Sequence, residues 1–248
     1  MSPAKSRREL LQTSAALGTA ALAGLGAISI PLLAEPAPQN SEKNEDKEPE
    51  VTATEDLMRE HGVIRRALLV YYEVVPKLRQ NVQAIDASAL QQTAKLFRAF
   101  AEDYHERLLE EQHIFPRIRK QGAELARYAE ILTEQHQRGR EVTDYVLAVT
   151  DGGKISSLHA EPLAKVFESF VLMYENHAAR EDTIVFPAWK KNFSDKQLDE
   201  IGDEFEDIEH KMFGKDGFED AEKKISDIET RLGLADLAQF TPPKPPKP

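Results

Sequence analysis

Histidines and glutamates recur in two similar stretches of this chain. The first stretch contains His61 and the later segment 104–116 (YHERLLEEQHIFP), and the second contains His136 and the later segment 174–187 (YENHAAREDTIVFP). The two copies lie about 70 residues apart. An internal repeat that supplies a histidine, then a histidine with a glutamate, indicates a two-metal site in a pseudo-symmetric helical bundle.

Four of the candidate ligands occupy positions within apolar helical stripes: His61, His136, His177 and Glu181. His177 and Glu181 are four residues apart, so they share one face of a helix. A carboxylate that faces a bundle core without a partner is strongly unfavourable, and a buried histidine alone is usually satisfied by a protein hydrogen bond. Four histidines and two glutamates at matching repeat positions are explained most economically by cations. This ligand set suits iron, manganese or zinc better than magnesium or calcium.

Composition narrows the classes of protein. The chain has 248 residues, 41% of them hydrophobic, which is enough for one substantial domain with additional segments. The formal net charge of −11 argues against a nucleic-acid partner. The sequence contains no cysteine, which excludes disulfides, thiolate ligands and iron–sulfur clusters. Any metal must therefore be held by histidine, carboxylate or water.

The first 34 residues differ from the rest of the chain. Arg7 and Arg8 precede a weakly apolar stretch rich in Ala, Leu and Gly. This pattern resembles a bacterial twin-arginine export signal, with an ordinary secretory signal or a membrane anchor as the alternatives. Because the twin-arginine route carries folded proteins, it agrees with metal insertion before export. We expect a periplasmic or otherwise exported protein without a stable membrane span in its mature form.

The remaining chain divides into four segments. Residues 35–53 are acidic and contain prolines, which predicts a disordered linker. Residues 54–192 carry four stretches with helical apolar spacing, the first ending at Pro76, and short links between them. Ser194 opens a capping box, so residues 193–233 are predicted as helices that pack on the bundle. Residues 234–248 form a Pro/Lys-rich tail. The predicted fold is all-α, an up-down-up-down four-helix bundle with extra C-terminal helices.

Three fragments resemble a known family. They are Leu-x-x-Glu-His ending at His61, His105 followed by Glu110-Glu111 and Phe-Pro, and His177-x-x-x-Glu181 followed by Val-Phe-Pro. Over about residues 55–190 they look like the hemerythrin-like (HHE cation-binding) family. The resemblance implies a non-haem diiron centre in which carboxylates bridge two iron ions. The ligands that it implies are His61, His105, Glu110, His136, His177 and Glu181.

The sequence departs from the family pattern at two places. His105 and Glu110 are five residues apart, which is a rotation of about 140° on an ideal helix. Either a π-bulge around Leu108-Leu109 or the reach of a long glutamate would bring Glu110 to the site, and Glu111 is the alternative ligand. The family offers a second histidine four residues after the one at His136, where this chain has Arg140. That difference predicts an open coordination position or a water, and argues against simple reversible oxygen carriage.

The remaining histidines and nearby arginines are assigned no metal. His113 is predicted to be exposed and His159 to lie in a loop, and His210 falls outside the repeat. Two pairs of arginines follow the first histidine of each repeat and are expected to form solvated ion pairs: Arg65 and Arg66, and Arg138 and Arg140.

These features favour a diiron protein of the cell envelope that binds or reacts with oxygen, nitric oxide or peroxide. Manganese or zinc would also accept these ligands. One alternative is an iron storage or delivery protein without redox turnover, and another is a purely structural interaction bundle. An electron donor or a second copy of the chain is compatible with the sequence, which does not decide whether the protein is an enzyme.

Overall fold

Helices are the regular elements of the computed structural model, which describes residues 51–247 and shows no strand within them. The predicted export signal, residues 1–34, and most of the predicted linker lie outside the described residues. From Thr52 onward the chain forms one compact unit.

Four long helices form the bundle, and they run in the predicted order. The first bundle helix is α1 (Ala53–Asn81). The second is a continuous run of α2 (Ala87–Leu96), π1 (Phe97–Ile114) and α3 (Phe115–Ile118). The third is α4 (Ala123–Val149). The fourth is a run of α5 (Ser157–Arg180), π2 (Glu181–Val185) and α6 (Phe186–Lys190). The prediction of an all-α bundle is confirmed.

Short polar side chains fix where three of these helices begin. The side chain of Thr52 accepts a hydrogen bond from the backbone N–H of Glu55, and Asp86 accepts one from Ala89. Ser156 does the same for Leu158 at the start of α5. Each contact satisfies a backbone donor that has no partner within its own helix.

The prediction that the first helix ends at Pro76 was wrong, because α1 continues to Asn81. Proline removes one backbone hydrogen bond, whose acceptor would be the carbonyl of Tyr72. Both Pro76 and Tyr72 are exposed, so water can take over that bond. Val75 and Leu78 continue the buried face on the other side of the helix.

Two widened turns precede the repeated Phe-Pro pairs. The N–H of Phe115 bonds to the carbonyl of Glu110, and the N–H of Phe186 bonds to that of Glu181. Both bonds span five residues, which is the π-helical pattern. The proline after each phenylalanine has no N–H, and its ring would clash with the carbonyl four residues earlier in a regular helix. Both repeats therefore have a π-helical turn at the same place, directly after a candidate ligand.

Aromatic rings fill the core next to the candidate site. Tyr71 stacks on Phe167 with ring centroids 4.4 Å apart, and Phe97 packs against Phe170 at 5.3 Å. All four rings are fully buried. They join the first, second and fourth bundle helices through non-polar contacts, which supply most of the stabilisation such a bundle needs.

Two further helices pack on the bundle. A capping box formed by Ser194 and Gln197 opens α7 (Asp195–Phe213), and α8 (Gly217–Leu232) follows it. Phe205 of α7 stacks on Trp189. Arg66 of α1 donates to Glu229 of α8, with its Nε 3.0 Å from Oε1. A short 3₁₀ turn, Leu237–Phe240, precedes the irregular tail.

None of the helices within residues 51–247 combines the length and the apolar character required to cross a membrane.

Candidate metal centre

The six predicted ligands meet in the interior of the bundle. The first and third bundle helices contribute one residue each, and the second and fourth contribute two each. None of the six is more than 3% exposed. The residues are His61, His105, Glu110, His136, His177 and Glu181.

The four histidines form two pairs that face each other through their Nε2 atoms. His61 Nε2 lies 3.1 Å from His105 Nε2, and His136 Nε2 lies 3.2 Å from His177 Nε2. Each pair therefore joins two neighbouring bundle helices. The repeat places the first two histidines in one pair and the last two in the other.

The two glutamates connect these pairs. Glu110 Oε1 lies 3.3 Å from His105 Nε2, and its Oε2 lies 3.2 Å from His136 Nε2. Glu181 Oε2 lies 3.0 Å from His177 Nε2 and 3.5 Å from His61 Nε2. Each carboxylate thus approaches one histidine of each pair, which is the arrangement expected of a bridging carboxylate.

The inner atoms of this cluster suit cations. All four carboxylate oxygens of Glu110 and Glu181 are buried without a hydrogen-bond donor. The Nδ1 atoms of His61 and His105 each lie against a carboxylate oxygen, which only accepts, so each Nδ1 carries the proton of the neutral ring. In the neutral form of each ring, the Nε2 lone pair faces the other histidine and the carboxylates. Two groups of these atoms lie close enough to hold an ion, one with His61, His105 and Glu110 and one with Glu110, His136, His177 and Glu181.

Each histidine is oriented by a side chain from a neighbouring helix. The four distances from Nδ1 to the acceptor oxygen are 2.7 Å for His61 to Asp182, 2.6 Å for His105 to Glu60, 2.9 Å for His136 to Glu111 and 2.9 Å for His177 to Gln135. Each of these acceptor residues is adjacent in the sequence to a candidate ligand other than the histidine that it contacts. The acceptor for the histidine of each bundle helix therefore comes from the preceding bundle helix. For the histidine of the first helix, the acceptor comes from the fourth.

Two arginines complete this outer layer at equivalent repeat positions. Arg65 pairs with Asp182, and Arg140 Nη2 lies 2.7 Å from Glu111 Oε1. The prediction of a solvated ion pair was wrong for Arg140, which is buried and also lies 3.3 Å from Glu106 Oε2. Three backbone and side-chain acceptors surround its guanidinium, and they replace the water it loses on burial.

The surrounding carboxylates favour positive charge at the site. Burial by itself lowers the pKa of His136, but the nearby carboxylates of Glu106, Glu110 and Glu111 outweigh it and raise the pKa to about 10. Burial likewise lowers the pKa of His105, and Glu110 and Glu60 raise it well above its usual value. In the absence of metal, protons therefore supply the charge that cations would bring.

A buried tyrosine lies beside the second histidine pair. The ring of Tyr174 packs 5.3 Å from that of His177, and its hydroxyl donates to Glu106. Gly139 makes room for this hydroxyl, since a Cβ at position 139 would lie 2.7 Å from it. Burial and the neighbouring Glu106 carboxylate raise the pKa of Tyr174 well above its usual value.

Most of these outer residues were not predicted from the sequence. Glu60, Gln135 and Asp182 each stand next to a candidate ligand in the sequence, and this adjacency in both repeats is the signal that could have found them. Glu111, the alternative ligand, faces outward to His136 Nδ1, while Glu110 faces the inner nitrogens. The widened turn of π1 allows this register because residues five apart then align.

Two predictions about other histidines were wrong. His113 is half-buried with its ring 5.4 Å from that of Phe205, because α7 covers this side of the bundle. His159 is exposed but lies in α5, which begins at Ser157. His210 Nδ1 donates to the carbonyl of Glu206 in its own helix, and the residue lies outside the cluster. The metal-binding role of the six central residues stays a prediction.

Comparison with known proteins agrees with this geometry. Residues 52–189 match the family described as the hemerythrin HHE cation binding domain. Uncharacterized proteins from Mycobacterium bovis and from two strains of Mycobacterium tuberculosis are each 43% identical over 238 residues, which cover 95% of this chain and 91% of the relative. No solved structure matches the chain significantly. The matched residues contain the whole cluster of histidines and glutamates, and the chain belongs to the hemerythrin HHE cation-binding family.

Proposed function

We propose that this protein binds two iron ions between its two histidine pairs and uses them to bind or reduce oxygen, nitric oxide or peroxide. The observation that carries the proposal is the convergence of four imidazole nitrogens and two buried carboxylates without other hydrogen-bond donors. When bound, a pair of iron ions supplies two electrons for such a reaction.

The residues of the chain have distinct roles in this proposal. His61 and His105 would hold one ion, and His136 and His177 would hold the other. Glu110 and Glu181, which each approach one histidine of both pairs, would supply the carboxylates and neutralise the charge of the ions. The outer acceptors fix each ring so that Nε2 points inward, which also keeps the ligands basic. Buried aromatic rings, among them Phe115 and Phe186, stack on His136 and His61 and exclude water from the rings.

The test begins with protein purified without chelator. We expect two iron ions per chain and an optical spectrum that changes when the reduced protein meets oxygen, nitric oxide or peroxide. An iron storage or delivery protein would contain iron but show no such change. A purely structural bundle would lack stoichiometric metal, and that result would refute the proposal.

A single ligand variant tests the position of the site. His177→Ala should lose about one metal ion per chain and become less stable, because Glu181 would then be buried beside an incomplete position. Full metal content in this variant would remove His177 from the ligand set. Tyr174→Phe offers a matched control, since it alters a neighbouring ring without removing a nitrogen or oxygen from the inner cluster.

We also propose that the protein is exported with its metal through the twin-arginine route, on the basis of Arg7 and Arg8 in the N-terminal sequence. Changing both arginines to lysine keeps the charge and should leave the protein in the cytoplasm with its signal intact. Normal export of that variant would indicate the general secretory route instead. Fractionation followed by immunoblotting separates the two outcomes.

A further inference from the structure

One position breaks the symmetry of the four supporting contacts. The two repeats are related so that His105 corresponds to His177, and the residue before the first histidine of each repeat supports it. In the first repeat this residue is Glu60, whose carboxylate lies 2.6 Å from His105 Nδ1. In the second it is Gln135, whose amide oxygen lies 2.9 Å from His177 Nδ1.

An amide and a carboxylate affect the supported ring differently. A carboxylate that accepts from Nδ1–H draws the proton towards itself, and this makes Nε2 a stronger electron donor to a bound metal. A neutral amide oxygen fixes the ring in the same orientation but does not make its Nε2 a stronger electron donor. His177 is therefore the weakest donor of the four histidines, and its supporting contact is also longer than that of its counterpart His105.

The charged groups behind the first histidine of each repeat are alike. The Asp182–Arg65 pair behind His61 is matched by the Glu111–Arg140 pair behind His136. Glu106 is an additional carboxylate near His136, but its oxygens accept from Tyr174 and Arg140 rather than from a ligand ring. Among the four side chains that accept from a histidine Nδ1, Gln135 is the one neutral group.

We propose that Glu60 and Gln135 make the two metal positions unequal, so that the His61–His105 position fills before the His136–His177 position. This inference rests on the proposed function, because it concerns the same two-metal site. Its consequence is that metal supply controls the state of the protein. When metal is scarce, chains hold a single ion at His61 and His105, and the paired centre forms only when more metal is present.

The exchange of an amide for a carboxylate at these two positions tests the inference. Metal-free full-length protein is titrated with Co²⁺, whose optical bands report each bound ion. The wild type should show two steps. Gln135→Glu should tighten the weaker step by about 10- to 100-fold and bring the two steps together. Glu60→Gln should weaken the tighter step by a similar factor.

The double exchange, Glu60→Gln with Gln135→Glu, is the matched control because it keeps composition and net charge. It should restore two separate steps, with their order reversed. Two metals that share bridging carboxylates could also repel each other, but repulsion alone would leave the gap between the steps unchanged in Gln135→Glu. Far-UV circular dichroism of the metal-free variants confirms that they are folded. If Glu60→Gln fails to fold, Gln135→Glu alone decides.

Ligand variants assign the steps to positions. His177→Ala should remove the weaker step and leave the tighter one, whereas His105→Ala should remove the tighter step. The inference would be overturned if His177→Ala removed the tighter step or both steps. It would also be overturned if the difference in affinity between the two steps were unchanged in Gln135→Glu. A wild-type protein that binds two Co²⁺ ions equally would overturn it while leaving the proposed function intact. A wild-type protein that binds no Co²⁺ would refute both.

Discussion

Each histidine of the candidate site uses both ring nitrogens, and the two nitrogens have separate roles. Nε2 faces the other candidate ligands, and Nδ1 is hydrogen-bonded to a side chain on a neighbouring helix. A histidine held on one side only could rotate away from the metal. The outer contact therefore sets the ligand direction before any metal binds, and lowers the cost of ordering on binding.

The two adjacent glutamates of the second bundle helix contact different nitrogens: Glu110 lies near inner Nε2 atoms, and Glu111 accepts from an outer Nδ1 atom. Glu110→Gln should abolish binding of the metal pair, because an amide keeps the volume but loses the bridging charge between His105 and His136. Glu111→Gln should retain two ions and weaken their binding by about 10-fold, since the amide oxygen can still accept from His136 Nδ1. Metal titration of both variants distinguishes the two. Equal effects would contradict the assignment of Glu110 to the inner layer.

The raised pKa of His136 predicts how stability depends on pH. In the metal-free protein this pKa is about 10, above the usual value of 6.5. The folded state therefore holds a proton that the unfolded state releases between these values, and stability falls as the pH rises from about 6.5 to about 10. Urea unfolding of metal-free protein at pH 6, 8 and 10 should show this fall, and His136→Gln should reduce the slope. A flat profile in the wild type would contradict the charge pattern described here.

Four of the six central residues could be predicted from the sequence because each lies in an apolar stripe, where a polar residue requires a partner. His105 and Glu110 followed from the family resemblance. The partners themselves were harder to find. Glu60 and Asp182 look like ordinary polar residues beside a ligand, and only the assembly of four helices shows that each supports a histidine on a different helix. The burial of Arg140 likewise depends on the assembly of the helices and not on local sequence.

At the scale of the helices, irregular turns set the register of the ligands. His105 and Glu110 share a face because π1 aligns residues five apart, whereas His177 and Glu181 share one through the regular spacing of α5. The five-residue spacing left two alternatives, a π-bulge around Leu108-Leu109 or the reach of a long glutamate on a regular helix. The extent of the π-helical segment over Phe97–Ile114 was not predictable, since π-helical turns have no strong local sequence preference beyond the proline that follows them.

Gly139 and Gly62 form a natural pair for testing helix packing. Gly139→Ala should destabilise the protein by about 1–3 kcal/mol, because the new Cβ would lie 2.7 Å from the hydroxyl of Tyr174. Gly62→Ala meets no atom within 4 Å and should stabilise the protein by about 0.5–1 kcal/mol through helix propensity. Chemical unfolding of both variants measures the difference. A stabilising effect of Gly139→Ala would mean that Tyr174 does not need this space.

At the scale of the whole molecule, the C-terminal helices stabilise the bundle without supplying a member of the central cluster. Composition and capping signals predicted these helices, and the family match ends before them at residue 189. The contacts that attach them, such as Arg66 to Glu229 and Phe205 to Trp189, depend on tertiary structure and could not be predicted from local pattern.

Phe205→Ala tests the separation between stability and metal binding. Phe205 is buried against Trp189 and His113, so its removal should cost about 3–5 kcal/mol of unfolding free energy. Metal stoichiometry of the folded fraction should stay unchanged, because Phe205 has no atom in the cluster. Loss of one metal ion from this variant in its folded form would show that α7 positions the site.

Anaerobic titration of metal-free wild-type protein with Fe²⁺ tests the central claim most directly, because it counts the ions that the bundle interior holds. The structure predicts saturation at two ions per chain, and a reduced capacity of about one ion in His177→Ala. Saturation at two ions in both proteins, or the absence of stoichiometric binding in the wild type, would contradict the assignment of the histidine and glutamate cluster as a two-metal site.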